Sequence, residues 1–170
     1  MYLSFCFTFG TMKTSTIKEL EQELGIRSPG ELLKLCLRLS KFKKENKELL
    51  TYLLFESSDE ASYIESVKSQ VDEQFEHINR KSQYFIKKSI RRILLSTRKY
   101  IRYSQKNQTE IDLLIYFCKK LKIISPPIQK HKALLNLYNR QIDEIIKKVS
   151  FLHEDLQYDY GIELNELKLI

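Results

Sequence analysis

The sequence predicts an all-α fold, an irregular antiparallel multi-helix bundle or a short α-solenoid of six to seven helices. Apolar side chains recur at helical spacing through most of the chain, and Ser, Thr or Asp precedes several of these stretches as a cap. Four glycines and three prolines in 170 residues give too few turns for a many-stranded β protein. No segment of the sequence has the pattern of a β-strand, and no fixed-period repeat favours a solenoid over a bundle.

The first residues differ from the rest of the chain. We expect an apolar N-terminal tail over residues 1–12, a single helical domain over 13–161 and a C-terminal tail over 162–170. The apolar run is too short to span a membrane and has no basic segment before it, although a truncated signal peptide is an alternative. It could also lie upstream of the true start, so that both Met1 and Met12 are candidate initiators.

Two capping motifs predict the first helices. Thr16 and Glu19 have capping-box spacing, and Gly25 should end the short helix that follows. The run Ser28-Pro29-Gly30-Glu31 begins a second helix, whose apolar residues cover more than one face. We expect this helix to be centrally buried. Residues 29–57 fit either one long helix or a hairpin that bends near residues 44–47.

The next helix should run from a cap at residues 57–59 to Ile78. One side of it is apolar, with Ile64, Val67, Val71, Phe75 and Ile78. The other side carries carboxylates, among them Asp72, Glu73 and Glu76. If this helix packs beside the basic one that follows, these acids are the expected partners of Lys87, Lys88 or Arg91.

The stretch from Arg80 to Lys106 holds ten basic residues and no acid, which more than accounts for the chain's net charge of +7. We predict a helix over residues 82–103. Its apolar stripe is Ile86, Ile90, Ile93, Leu94, Thr97 and Ile101. The residues that we predict to bind anions or nucleic acid are Tyr84, Lys87, Lys88, Arg91, Arg92, Arg98, Lys99 and Arg102. The alternatives for this face are a solvated surface and a lipid-binding one.

Two helices complete the prediction. Thr109 should cap one that ends before Ser125-Pro126-Pro127, with a stripe that includes Cys118. The last should extend from Gln129 to Tyr158 and stop at Gly161.

No pattern supports catalysis, a cofactor or a metal. The three cysteines are scattered, which favours a reducing, cytoplasmic location, and we expect Cys36 and Cys118 to be small core residues. The histidines form neither a Glu-x-x-His nor a His-Glu-x-x-His motif, and no glycine-rich phosphate loop or Gly-x-Ser-x-Gly turn occurs.

Three classes of function remain, and an enzyme is the one that the sequence supports least. The first is a non-enzymatic interaction module that binds nucleic acid or an acidic partner through the basic helix, as the pI of 9.2 favours. Tyr100, Arg102 and Tyr103 could stack bases there, although Tyr100 packed in the core with its hydroxyl at the rim is the favoured interpretation. The second is an adaptor that binds a protein through apolar surface, such as residues 49–55 or the N-terminal tail. The oligomeric state is not predicted.

Overall fold

A computed structural model of the protein describes residues 14–168, and this part of the chain is all-helical, with eight α-helices and no strand. The predicted all-α class is confirmed. The helices are α1 (Ile17–Gly25), α2 (Pro29–Phe42), α3 (Lys44–Thr51), α4 (Glu60–Glu76), α5 (Gln83–Ser104), α6 (Asn107–Lys122), α7 (Lys132–Val149) and α8 (Glu154–Leu167). The count exceeds the predicted six to seven because the last predicted helix is divided in two. None of the described helices is both long and apolar enough to cross a bilayer.

The chain divides into two compact units, an N-terminal unit that ends at Glu48 and a C-terminal unit that begins at Leu49. The single domain predicted over residues 13–161 stays a prediction. The tail predicted over residues 1–12 lies outside the described residues.

Both N-terminal capping motifs form as predicted. The backbone N–H of Thr16 donates to Glu19 Oε2 at 2.7 Å, and that of Ser28 donates to Glu31 Oε2 at 2.9 Å. The expectation of a buried α2 is wrong, because no residue of α1 or α2 is buried. Cys36 is accordingly exposed and is not a core residue. The described part of this unit contains no helix that covers the apolar sides of α2.

Helix α2 does not continue directly into α3. Lys43 adopts an extended conformation, with φ −139° and ψ 148°, one residue before the predicted bend. Across this interruption the Asn46 side chain donates to the carbonyl of Leu39 at 2.9 Å. Residues 29–57 are therefore not one continuous helix, and a π-helical turn over Tyr52–Glu56 follows α3.

Helix α6 is the centre of the C-terminal unit, where it packs against α4, α5, α7 and α8. The stripe predicted for it is fully buried, including Cys118. Of the stripe predicted for α4, Val67, Val71, Phe75 and Ile78 are buried, and Ile64 packs half-buried against them. Helix α6 begins at Asn107, however, so that Thr109 is a buried residue of its first turn and not the predicted cap.

The last predicted helix is interrupted at residues 150–153, which separate α7 from α8. Gly161 does not stop it but lies inside α8. The residues predicted as a tail are helical as far as Leu167, whose carbonyl accepts a hydrogen bond from the buried hydroxyl of Tyr138. The apolar side chains keep one helical phase across the break, with Val149 buried and Leu152 and Leu156 half-buried, and the sequence pattern therefore does not reveal it.

One carboxylate connects several of these elements. Glu60, in the first turn of α4, accepts hydrogen bonds from the hydroxyls of Tyr52 at 2.9 Å, Thr109 at 2.6 Å and Ser104, and it pairs with Lys106 Nζ at 2.7 Å. Burial alone would raise the pKa of Glu60, but these donors outweigh it and lower that pKa to about 2. Four donors satisfy the charge that the fold partly removes from water.

Candidate anion-binding surface

Helix α5 has one buried side and one side that faces solvent. The Ser82 hydroxyl accepts a hydrogen bond from the N–H of Phe85 at 3.5 Å and caps its start, and Gln105 ends it in a left-handed conformation with φ 57°. The buried side contains the six predicted residues, Ile86, Ile90, Ile93, Leu94, Thr97 and Ile101. The predicted phase of the helix is therefore confirmed.

Four of the seven basic residues predicted for the site are exposed, namely Lys88, Arg91, Arg92 and Arg102. We call these four, together with the exposed side chains of Tyr84 and Leu95, the basic face. Tyr84 is 61% exposed and Leu95 is 66% exposed. From the first of the four basic residues to the last the helix rises ~21 Å, at ~1.5 Å per residue. The surface thus combines positive charge with the open ring of Tyr84, against which the 40% exposed ring of Phe85 packs edge-on at 5.4 Å.

Within the described residues, the acidic side of α4 forms no ion pair with the basic face. Asp72 binds α6 instead, with Oδ1 2.8 Å from Lys120 Nζ and with Oδ2 accepting a hydrogen bond from the Tyr116 hydroxyl at 2.7 Å. Burial raises the pKa of Asp72, but the hydrogen bonds from Lys120 and Tyr116 lower it by more. Glu73 and Glu76 are exposed. Among the ion pairs within residues 14–168, none joins α4 to Lys87, Lys88 or Arg91, and the pairing expected from the sequence is not formed.

Arg98, also a predicted site residue, is engaged within the fold. Its guanidinium donates to both carboxylate oxygens of Glu144 on α7, with Nη1 3.1 Å from Oε1, and to Gln141 Oε1 at 2.8 Å. A bidentate arginine–carboxylate pair of this kind is strong and directional. For Arg98 to bind an anion, this pair would have to break.

Lys99 and the two nearby tyrosines form a packed group. Lys99 Nζ lies 4.6 Å from the ring centre of Tyr100 and 6.0 Å from that of Tyr103. The Tyr100 hydroxyl donates to Gln70 Oε1 at 2.6 Å, and Tyr103 is only 8% exposed. These rings therefore pack as part of the fold, which leaves Tyr84 as the open ring of the basic face.

A second basic segment, which was not predicted from the sequence, lies beside the start of α5. Lys130, His131 and Lys132 line a cavity of about 340 Å³ together with Tyr84 and Lys87. They belong to the 3₁₀ turn Ile128–Lys130 and to the start of α7. The only signal in the sequence is the basic tripeptide that follows the proline pair, and its position near α5 depends on tertiary packing.

The chemistry of this surface is electrostatic. Within residues 14–168, no three side chains of His, Cys, Asp or Glu converge to hold a metal ion. His77 Nδ1 lies 2.7 Å from the carbonyl of Glu73 in its own helix, and burial raises the pKa of the Cys118 thiol to about 12. What α5 presents is fixed positive charge, N–H donors and an aromatic ring.

No protein-family model matches this chain, and the comparisons with curated proteins and with solved structures find no match either.

Proposed function

We propose that the C-terminal unit is a non-enzymatic interaction module that binds the phosphate backbone of nucleic acid through the basic face of α5. The observation that supports this most is the exposure of Lys88, Arg91, Arg92 and Arg102, with no ion pair between them and the carboxylates of α4 among the described residues. In this proposal α4 to α8 form an irregular antiparallel bundle that holds the basic face rigid, and the protein acts in the cytoplasm.

The proposed roles of these side chains are charge neutralisation and base stacking. Lysine and arginine neutralise phosphates and release counterions, which favours binding and makes it sensitive to salt. Tyr84 offers a ring on which a base can stack. Lys130 and Lys132 are exposed and extend the positive surface beyond the start of α5. Backbone contacts carry no sequence information, so we expect little sequence preference.

The test is a matched pair of double variants. Arg91→Gln with Arg92→Gln removes two charges from the basic face, whereas Arg140→Gln with Lys147→Gln removes two exposed charges from α7. Affinity for fluorescently labelled single- and double-stranded oligonucleotides is measured as salt rises from ~50 mM. For each phosphate that the first variant no longer neutralises, the slope of log K against log salt should fall by ~0.9 on a duplex, or by ~0.7 on a single strand.

The control variant should leave the slope unchanged and should melt at the same temperature as the first. Equal losses of affinity in both variants would mean that net charge, and not the basic face, is responsible. Wild-type protein that binds neither form of nucleic acid at ~50 mM salt would remove the proposal. Binding to an acidic polypeptide in place of nucleic acid would identify an acidic protein as the partner.

The second candidate is an adaptor that binds another protein through apolar surface. It is favoured by the exposure of Leu53, Leu54 and Phe55, at 54%, 63% and 75%, in the π-helical turn after α3. The other surface suggested for it, the N-terminal tail, lies outside the described residues. An adaptor would show no affinity for nucleic acid either before or after mutation of α5.

A further inference from the structure

Helices α1 and α2 enclose an open apolar groove that the proposed nucleic-acid function does not use. Its floor consists of Leu20, Leu24, Leu35, Leu39 and Phe42. These side chains are between 40% and 77% exposed, and the groove has a volume of about 1040 Å³. A contiguous apolar surface of this size is typical of a binding interface, because water against it is unfavourable.

The rim of the groove is charged. Arg27 bridges the two helices, with Nη2 3.4 Å from Glu23 Oε2 and Nη1 3.7 Å from Glu31 Oε1. Lys34, Arg38 and Lys41 lie along the α2 side of the groove. An occupant must therefore bring both apolar side chains and charges that complement this rim.

The two helices carry opposite net charges. Helix α1 contains one basic residue, Lys18, and three acids, Glu19, Glu21 and Glu23, so its net charge is −2. Helix α2 contains one acid, Glu31, and three basic residues, Lys34, Arg38 and Lys41, so its net charge is +2. By helical spacing, Glu21 and Glu23 lie on either side of the leucine stripe of α1, and the three basic residues follow one edge of the stripe of α2.

We propose that the occupant of this groove is a second copy of the same chain. In a two-fold contact, α1 of each copy lies along α2 of the other, so that acidic edges meet basic edges twice and the apolar floors close on each other. Such a contact uses one patch on both subunits, which is the commonest symmetry among soluble oligomers. Burying the two floors removes leucine and phenylalanine surface from water.

Two other occupants fit the rim less well. The N-terminal segment, residues 1–13, is apolar but carries one charged side chain, Lys13, and so cannot match a rim of both signs. A helix from an unrelated protein would need its own arrangement of acidic and basic edges, whereas this chain already contains it. A second copy therefore satisfies the apolar and the electrostatic requirement together.

The first experiment measures the mass of the full chain by sedimentation velocity at micromolar concentration. The wild type should sediment with twice the 20.3 kDa of a single chain. Leu35→Glu with Leu39→Glu places charges in the apolar floor and should halve the sedimenting mass. The matched control is Leu33→Glu with Leu37→Glu, which changes two exposed leucines on the opposite side of α2 and should remain dimeric. Circular dichroism should show equal helix content in both variants, because neither site is buried.

The second experiment reverses the charge of the residues along the edges of the groove. Lys34→Glu with Arg38→Glu makes both helices acidic, and Glu21→Lys with Glu23→Lys makes both basic. Each variant alone should repel its own copies and sediment as a single chain. An equimolar mixture should restore the dimer, because every acidic helix then meets a basic one.

Four results would overturn the proposal. They are a wild-type chain that stays monomeric, a dimer that survives Leu35→Glu with Leu39→Glu, a control variant that dissociates equally, and a mixture of the charge-reversed chains that fails to associate. The first and last are the results expected if residues 1–13 or an unrelated helix fill the groove. None of them bears on the α5 proposal, which the oligonucleotide titration decides separately.

Discussion

Helices α2 and α6 are both rich in leucine and other apolar residues, yet their surroundings are opposite. Eight residues of α6 are buried and none of α2 is. Each helix carries a cysteine, and Cys118 is buried whereas Cys36 is exposed. Four helices pack against α6, and the described part of the N-terminal unit leaves α2 uncovered. An apolar helix sequence therefore indicates that the helix packs against a partner, but not that the partner belongs to the same chain.

The largest difference between the two helices should appear when one leucine in each is replaced by aspartate. Leu114 on α6 is completely buried, whereas Leu37 on α2 is 46% exposed. Leu114→Asp buries an unpaired carboxylate and should lower the free energy of unfolding by ~4 kcal/mol or more, and Ile90→Asp on α5 should do the same. Leu37→Asp should change it by ~0.5 kcal/mol or less. Urea denaturation followed by circular dichroism measures both, and equal destabilisation would mean that α2 is covered after all.

An intermediate effect should follow from the Glu60 network in the C-terminal unit. Glu60→Gln replaces an acceptor of four hydrogen bonds with a group that also donates, and should cost on the order of 2–3 kcal/mol. The folded-state pKa of about 2 lies below the ordinary value of 4.5, so the charged form is favoured by folding. Its contribution is complete above pH 4.5 and is lost as the pH falls toward 2.

The measurement is the urea midpoint of wild type and Glu60→Gln across this acidic range. The difference between them should shrink as the pH falls. The control, Glu73→Gln, changes an exposed carboxylate of the same helix and should track the wild type. A difference between wild type and Glu60→Gln that does not depend on pH would show that the carboxylate charge is not what stabilises the network.

The smallest effect should come from the cap of α2. Ser28→Ala removes the hydroxyl that accepts from the N–H of Glu31 and should destabilise the helix by ~1 kcal/mol. Amide hydrogen exchange in α2 should then accelerate about fivefold, while exchange in α6 stays unchanged. Ser40→Ala is the control, because the Ser40 hydroxyl only donates to the carbonyl of Leu37 within α2. An equal acceleration in α6 would mean that the Ser28 cap also stabilises the C-terminal unit, which would contradict this prediction.

The features that the sequence predicts correctly are local ones. The caps at Thr16, Ser28 and Asp59 depend on residues three positions apart, and the phase of α5 depends on a repeat within one helix. The burial of α2 and the interruption between α7 and α8 are not local. Both depend on which surfaces meet in three dimensions, and apolar periodicity is the same whether or not a partner is present.

The candidate site divides in the same way. Periodicity alone places Lys88, Arg91 and Arg92 opposite the core stripe, and these residues are exposed. It cannot show that Arg98 meets Glu144, 46 residues later in the chain, or that Lys130 lies beside Tyr84. These contacts require the positions of helices that are distant in sequence.

The Glu60 network also has a consequence for the order of folding. Two of its donors, Ser104 and Thr109, lie 44 and 49 residues away in the chain. The unfolded chain must close loops of this length before either hydrogen bond can form, which delays the network until α4, α5 and α6 have met. Glu60 therefore stabilises mainly the fully folded C-terminal unit and not the transition state for its folding. Its loss should accelerate unfolding and leave the folding rate nearly unchanged.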